Sequence, residues 1–171
     1  MNNPSAPPGK AEKYARVERE RCWRLAAPPD EASAVAIVEI TDVYFPGTRL
    51  RLRRMVDTRG SAPTIYKLTQ KVPGPDHRRL TTNTYLSEAE YELLARLDGH
   101  RMTKLRYSVP PNGVDVFLPP LEGLVLAEME YDDDEAMAAG TAPPGAVEEV
   151  TGDVRFTGGH LAASIQAPRS G

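Results

Sequence analysis

The stretch Val17-Glu18-Arg19-Glu20-Arg21-Cys22-Trp23 decides how the rest of the chain is read. As a β-strand its period of two places Glu18, Glu20 and Cys22 on one face and Val17, Arg19, Arg21 and Trp23 on the other. Two carboxylates two residues apart on a strand can share a divalent cation. A second such pair, Glu128 and Glu130, stands near the other end of the domain, so one metal site closed by both pairs would tie the first strand to the last. Trp23 faces away from the acids, and packing against a helix is its expected role.

With 171 residues the chain is long enough for one domain with a real core. Residues 1–13 and 164–171 are poor in large apolar side chains and read as tails, leaving 14–163 as the folded part. The formal charge of −3 argues against a nucleic-acid or anionic-membrane partner, because such binders need a basic surface to displace counterions. The single cysteine excludes an internal disulfide and fits a reducing cytoplasm. No apolar run approaches the length of a membrane span.

Period two continues along the chain. The β-branched run Val35 to Phe45 reads as a strand turned by Pro46-Gly47, and Arg49 to Met55 alternates Leu50 and Leu52 with Arg49, Arg51 and Arg53. Ile65 to Val72, with Lys67, Thr69 and Lys71 in phase, reaches the turn Pro73-Gly74-Pro75-Asp76 before Leu80 to Leu86. Ser87 and Glu90 form a capping box that opens a helix ending near Gly99. Met102 to Val109, Val114 to Leu118 and Leu121 to Tyr131 follow as strands. The acids at Asp132 open a short helix to Ala139, Val147 to Val150 is a short extended piece, and Phe156 to Ile165 is a last helix interrupted by Gly158-Gly159. About eight short strands joined by tight turns, with two or three helices, fit either a closed barrel or an α+β sheet.

If each strand turns its charged parity the same way, Arg51, Arg53, Lys67, Lys71, Lys104 and Arg106 share a surface with Glu18, Glu20, Asp115, Glu128 and Glu130. A single such strand is ordinarily a solvated face; repetition over several strands points to a polyanion carried with a divalent metal. Arg and Lys suit non-bridging phosphate oxygens, and the carboxylates suit Mg²⁺ or Mn²⁺. Arg49 and Arg54 read as surface residues, Arg78-Arg79 as a steering pair beside a turn, and the isolated His77, His100 and His160 as neither zinc ligands nor a triad.

Taken in order, Glu18-x-Glu20, Arg51-x-Arg53, Lys71 in Leu68-Thr69-Gln70-Lys71, Lys104-x-Arg106-Tyr107, Asp115-Val116-Phe117, Gly123-Leu124, Glu128-x-Glu130 and Thr151-Gly152-Asp153-Val154-Arg155-Phe156 resemble the CYTH superfamily, the triphosphate tunnel metalloenzymes. The resemblance implies an α+β fold: a closed, antiparallel, eight-stranded β tunnel with flanking helices that binds a triphosphate with one or two divalent cations. It implies Glu18, Glu20, Glu128 and Glu130 as catalytic metal ligands, and Arg51, Arg53, Lys71, Lys104, Arg106 and Arg155 as phosphate ligands, with Arg155 closing one end. Asp115 is implied as a tunnel acid. The implied activity is hydrolysis of inorganic tripolyphosphate or an organic triphosphate by a metal-held water. A triphosphate-binding module without efficient chemistry and an adenylate cyclase are the alternatives, and a homodimer is compatible with family habit. Two positions depart from the pattern: Cys22 stands where relatives carry lysine, and Leu80-Thr81-Thr82-Asn83-Thr84-Tyr85-Leu86 lacks their glutamates.

Overall fold

A computed structural model describes residues 14–74 and 78–166; the expected tails, apart from 164–166, lie outside the described residues. The order is β1 (Arg16–Glu18), β2 (Glu20–Leu25), β3 (Ala36–Tyr44), β4 (Leu50–Asp57), β5 (Ile65–Pro73), β6 (Arg79–Leu86), α1 (Glu88–Leu94), β7 (His100–Val109), β8 (Asn112–Phe117), β9 (Val125–Glu130), α2 (Asp134–Ala139), β10 (Ala146–Glu149) and α3 (Gly158–Gln166).

All the strands belong to one sheet of ten, ordered β1-β6-β5-β4-β3-β7-β8-β9-β2-β10, with every pairing antiparallel. The expected eight-stranded closed tunnel is therefore corrected on both counts: among the described residues there are ten strands, and the hydrogen-bond ladder does not close. The first expected strand breaks at Arg19, whose carbonyl accepts from Tyr131 N at 2.8 Å in continuation of the β2–β9 register. Its halves then take different partners, β1 pairing with β6 and β2 with β9. The other additional strand is the extended piece near Val147, which pairs with β2 as β10. One short stretch of chain, Arg16 to Leu25, thus runs from one edge of the sheet to within one strand of the other.

Alternation sorts the side chains onto two faces. On one, Trp23 and Leu25 from β2, Ile37, Tyr107, Val114 and Ala127 pack in register across five strands, with Arg21 stacked 5.0 Å from the Trp23 ring centre. Trp23 is 2% exposed and lies among strands, not against a helix as expected. On the same side of the neighbouring strands Val43 and Leu52 receive Tyr91 and Leu94 of α1. The capping box of α1 forms in full, with Ser87 N donating to Glu90 Oε2 at 2.7 Å; the helix stops at Leu94, short of the expected Gly99. The other face carries the charges, except where α3 packs Leu161 and Ala162 against Met102, Phe117 and Leu126.

Glycine placement explains two further departures. The expected strand from Leu121 starts only at Val125, because Leu121 to Leu124 form a turn in which Gly123 takes φ +90°. Gly158-Gly159 opens α3 and does not interrupt it. A Cβ on Gly158 would lie 1.9 Å from Tyr44 Oη, so only glycine lets the helix start this close to β3. Residues 164–166, expected as tail, are the last turn of α3. Among the described residues no helix is long and apolar enough to cross a membrane.

Trp23 joins β2 to the apolar side of the sheet, so its truncation tests the face assignment. Trp23→Ala is expected to lower unfolding stability by about 3–5 kcal/mol, measured by urea denaturation followed by far-UV circular dichroism.

Candidate functional site

The charged face curves around a cavity of about 690 Å³. Its lining includes Glu18, Glu20, Glu128 and Glu130 together with Arg51, Arg53, Lys71, Lys104 and Arg106. Strand register explains the gathering. Arg53 lies across from Lys67, Arg51 from Thr69, Lys71 from Thr81, and Glu20 from Glu130, each pair pointing to one side of the pleat. Arg49, Lys67 and Arg79 also line the cavity. Arg49 is therefore not the outward surface residue that the sequence leads one to expect.

Two buried acids hold the cations in place. Asp42, 0% exposed, accepts from Arg53 Nε at 2.6 Å and Nη2 at 2.7 Å, with Arg51 Nε 3.7 Å away. Burial opposes the Asp42 charge, but Arg53 and Arg51 outweigh it and hold the carboxyl well below its ordinary range. Asp115, 1% exposed, accepts from Arg106 Nε and Nη2 at 2.7 Å each and pairs with Lys104 Nζ. Neither acid reaches the cavity wall. Asp115 is thus placed to position basic residues. Burial and the neighbouring Arg106 set Lys104 below the usual lysine range despite Asp115, whereas Asp115 and Glu128 raise Arg106 against its burial.

Each glutamate is paired with a cation. Lys71 Nζ is 2.7 Å from Glu18 Oε2, an ion-pair contact without hydrogen-bond alignment. Arg79 pairs with Glu20, Arg106 with Glu128, and the more exposed Glu130 with Arg16 at 2.9 Å. Burial raises Glu20, the charge of Glu128 adds to the rise, and Lys71 and Arg79 only partly oppose them. For Glu128 burial acts the same way but Arg106, Lys104 and Lys71 prevail, leaving it well below the ordinary carboxylate range. Glu18 is lowered too, Lys71 overcoming burial.

Among the described residues no three His, Cys, Asp or Glu side chains converge as a ready-made metal cage. The donor set nevertheless fits a hard divalent cation in its chemistry. Like charges directly opposite on a sheet are destabilising, yet Glu20 faces Glu130 with Glu128 on the diagonal, which is where a cation relieves the repulsion.

Cys22 lines the cavity between these acids, its N donating to Thr151 Oγ1 at 2.9 Å. Burial, with Glu128, Glu20 and Asp115 beside it, pushes the thiol well above its usual range against the pull of Lys104, so it stays protonated and contributes no charge. On β5, Thr69 Oγ1 donates to Asn83 Oδ1 of β6 at 2.7 Å and accepts from Arg51 Nη2 at 3.2 Å, so β6, the strand without glutamates, still helps to orient a cation. Arg155 is not brought to the cavity: its side chain is 70% exposed and pairs with Asp153 at 2.6 Å, although Asp153 itself lines the wall.

Sequence reasoning missed Asp42 and the inward direction of Arg79. Asp42 was detectable as an acid inside the apolar run Ala36–Tyr44, because a buried charge demands a partner. Arg78 and Arg79 point apart, Arg78 lying 3.7 Å from Asp134 outside the cavity.

Breaking a buried pair strands the surviving charge. Asp42→Asn is expected to cost about 3–5 kcal/mol at pH 7. Because the folded-state pKa of Asp42 is depressed, its contribution is full above the ordinary value of 3.8 and is lost as pH falls below it. The difference between wild type and variant, followed by chemical denaturation from pH 7 to pH 2.5, is expected to shrink on the acid side.

No family model matches the sequence. The chain is 35% identical over 157 residues to an inorganic triphosphatase from Nitrosomonas europaea, an alignment spanning 87% of this chain and 99% of that protein. Its fold superposes on a crystal structure of the inorganic triphosphatase NE1496 with a TM-score of 0.57 and 26% identity, covering 88% of this chain and 96% of the other. A second crystal structure of NE1496, described as a hypothetical protein, gives the same TM-score at 28% identity, covering 88% and 99%. At that identity and coverage, the chain belongs to the family of the Nitrosomonas europaea inorganic triphosphatase.

Proposed function

We propose that this protein is a divalent-metal-dependent hydrolase of a triphosphate, inorganic tripolyphosphate or an organic triphosphate, which releases orthophosphate. The observation that carries the reading is the cavity itself, which Arg51, Arg53, Lys71, Lys104 and Arg106 line together with the part-buried Glu18, Glu20 and Glu128 and the more exposed Glu130. The inorganic triphosphatase activity in the relative's name supports it, as do the ordered motifs of the triphosphate tunnel pattern.

Phosphoryl transfer asks a protein mainly for position and charge. Arg53, Lys104 and Arg106, seated on Asp42 and Asp115, present fixed donors that need no reorganisation when negative charge shifts toward the leaving group. Lys71 and Arg51 hold the neighbouring phosphate oxygens. Glu18, Glu20, Glu128 and Glu130 would hold Mg²⁺ or Mn²⁺, which when bound neutralises charge and polarises a phosphoryl oxygen. Water adds to the terminal phosphorus as the bridging bond breaks, giving orthophosphate and the shortened diphosphate. The low-dielectric wall around Asp42 and Asp115 strengthens each of these interactions. A cytoplasmic location, with no nucleic-acid or membrane partner and with a homodimer through the exposed edges, belongs to the same reading.

A second reading, a triphosphate-binding module without efficient turnover, is favoured by Cys22, which leaves a neutral thiol where a lysine would add charge. Orthophosphate release from tripolyphosphate, nucleoside triphosphates and thiamine triphosphate, with Mg²⁺ or Mn²⁺ and a chelator control, separates the two. The enzyme reading predicts chelator-sensitive release with a preference for one compound, and Glu128→Gln lowering kcat on the order of a hundredfold. Binding without release moves the assignment to the module.

A further inference from the structure

Most of the strand-borne cations in the cavity rest on a carboxylate. Arg53 rests on Asp42, Lys71 on Glu18, Arg79 on Glu20, and Lys104 and Arg106 on Asp115. Lys67, half-buried in the middle of the β4-β5-β6 ladder, has no ion pair among the described residues. Its neighbour Arg51 is also under-satisfied: Nε is buried without a hydrogen bond, 3.7 Å from the nearer Asp42 oxygen.

Lys67 lies directly across β4 from Arg53 and across β6 from Tyr85. The charges acting on it are Arg53 and Arg51 from β4, Arg106 from β7 and, with the opposite sign, Asp42 from β3. Lys71 shares its face four residues on, about 13 Å along the strand, and it is Lys71 that meets Glu18. The cavity is therefore polarised: glutamates gather around Lys71, and uncompensated positive charge gathers around Lys67.

Resting on the triphosphate reading above, we propose that Lys67, with Arg51 and Arg53, forms the subsite for the phosphoryl group farthest from the glutamates and so sets a preference for triphosphate over diphosphate. A longer chain engaged at the glutamate end extends further toward this cationic end. A diphosphate leaves Lys67 unmatched. The subsite is also proton-linked. Burial, then repulsion by Arg53 and Arg51, brings the Lys67 ammonium down to about 8, the partial attraction of Asp42 notwithstanding. An arriving phosphate favours the charged form, so binding above that pH draws a proton onto Lys67. The arginines stay charged throughout and cannot supply this linkage.

The test is calorimetric titration of the metal-free protein with sodium tripolyphosphate and with diphosphate, at pH 7 and pH 9, in buffers of differing ionisation enthalpy to count protons. Wild type, Lys67→Met and Lys67→Arg are compared. Wild type is expected to favour tripolyphosphate by about tenfold or more and to take up protons on binding it at pH 9. Lys67→Met is expected to lose most of that margin while its diphosphate affinity changes by less than about twofold. Lys67→Arg is expected to keep the margin without the Lys67 share of proton uptake. Equal loss for both ligands in Lys67→Met, no loss for either, or proton uptake in Lys67→Met identical to wild type would overturn the subsite. Failure of the wild type to bind either ligand, both metal-free and with Mg²⁺ added, overturns the triphosphate reading itself and the subsite with it.

Discussion

A cation inside a protein persists only when an anion stands beside it, because desolvating an isolated charge costs more than a fold can spare. Asp42 beneath Arg53, and Asp115 beneath Lys104 and Arg106, meet that requirement on the inner face of this sheet. Their consequence is an inverted plan. With one face given to charge, the apolar residues of β2, β3, β7, β8 and β9 must pack on the other, where Trp23, Ile37, Tyr107, Val114 and Ala127 meet. Helix α1 covers the neighbouring strands on that side, while α3 covers Met102, Phe117 and Leu126, the apolar strand residues on the charged side.

The ion pairs also do what the hydrogen-bond ladder leaves undone. The sheet is open between its edges, yet Lys71 of β5 reaches Glu18, Arg79 of β6 reaches Glu20 of β2, and Arg16 of β1 reaches Glu130 of β9. Together with the unbroken chain through Arg19, these contacts hold β1 and β2 around the cavity. In the proposed function they are also the contacts that a polyanion and its cation would compete for, so the elements that define the site are those such a ligand would rearrange most directly. The buried Asp42 and Asp115 pairs stay behind the wall and preserve the positions of their cations.

Much of this plan was legible in the residues. Strict alternation in Arg49 to Met55 assigned Arg51 and Arg53 to one face, and the same parity in Glu18, Glu20 and Cys22 brought them to the cavity. The helix start at Ser87 follows from its capping chemistry, which is local and so readable. What was not legible depends on tertiary geometry. Nothing within Val17 to Trp23 shows that the strand breaks at Arg19, since the break is set by partners far away in β6 and β9. Nor does the sequence say that Arg79 turns inward while Arg78 does not, or that Arg155 folds back on Asp153. Gly158-Gly159 reads as a helix breaker until Tyr44 is known to lie against it.

On the proposed function, the cavity is built for a linear polyphosphate and not for anions in general. Thermal unfolding of the protein with tripolyphosphate or with orthophosphate, at matched ionic strength, tests it most directly. A saturable rise in Tm with tripolyphosphate and little change with orthophosphate is expected, since ligand bound only by the folded state stabilises it by mass action. Equal, non-saturating rises with both salts would contradict it, because general screening of the paired charges would then explain everything the cavity does.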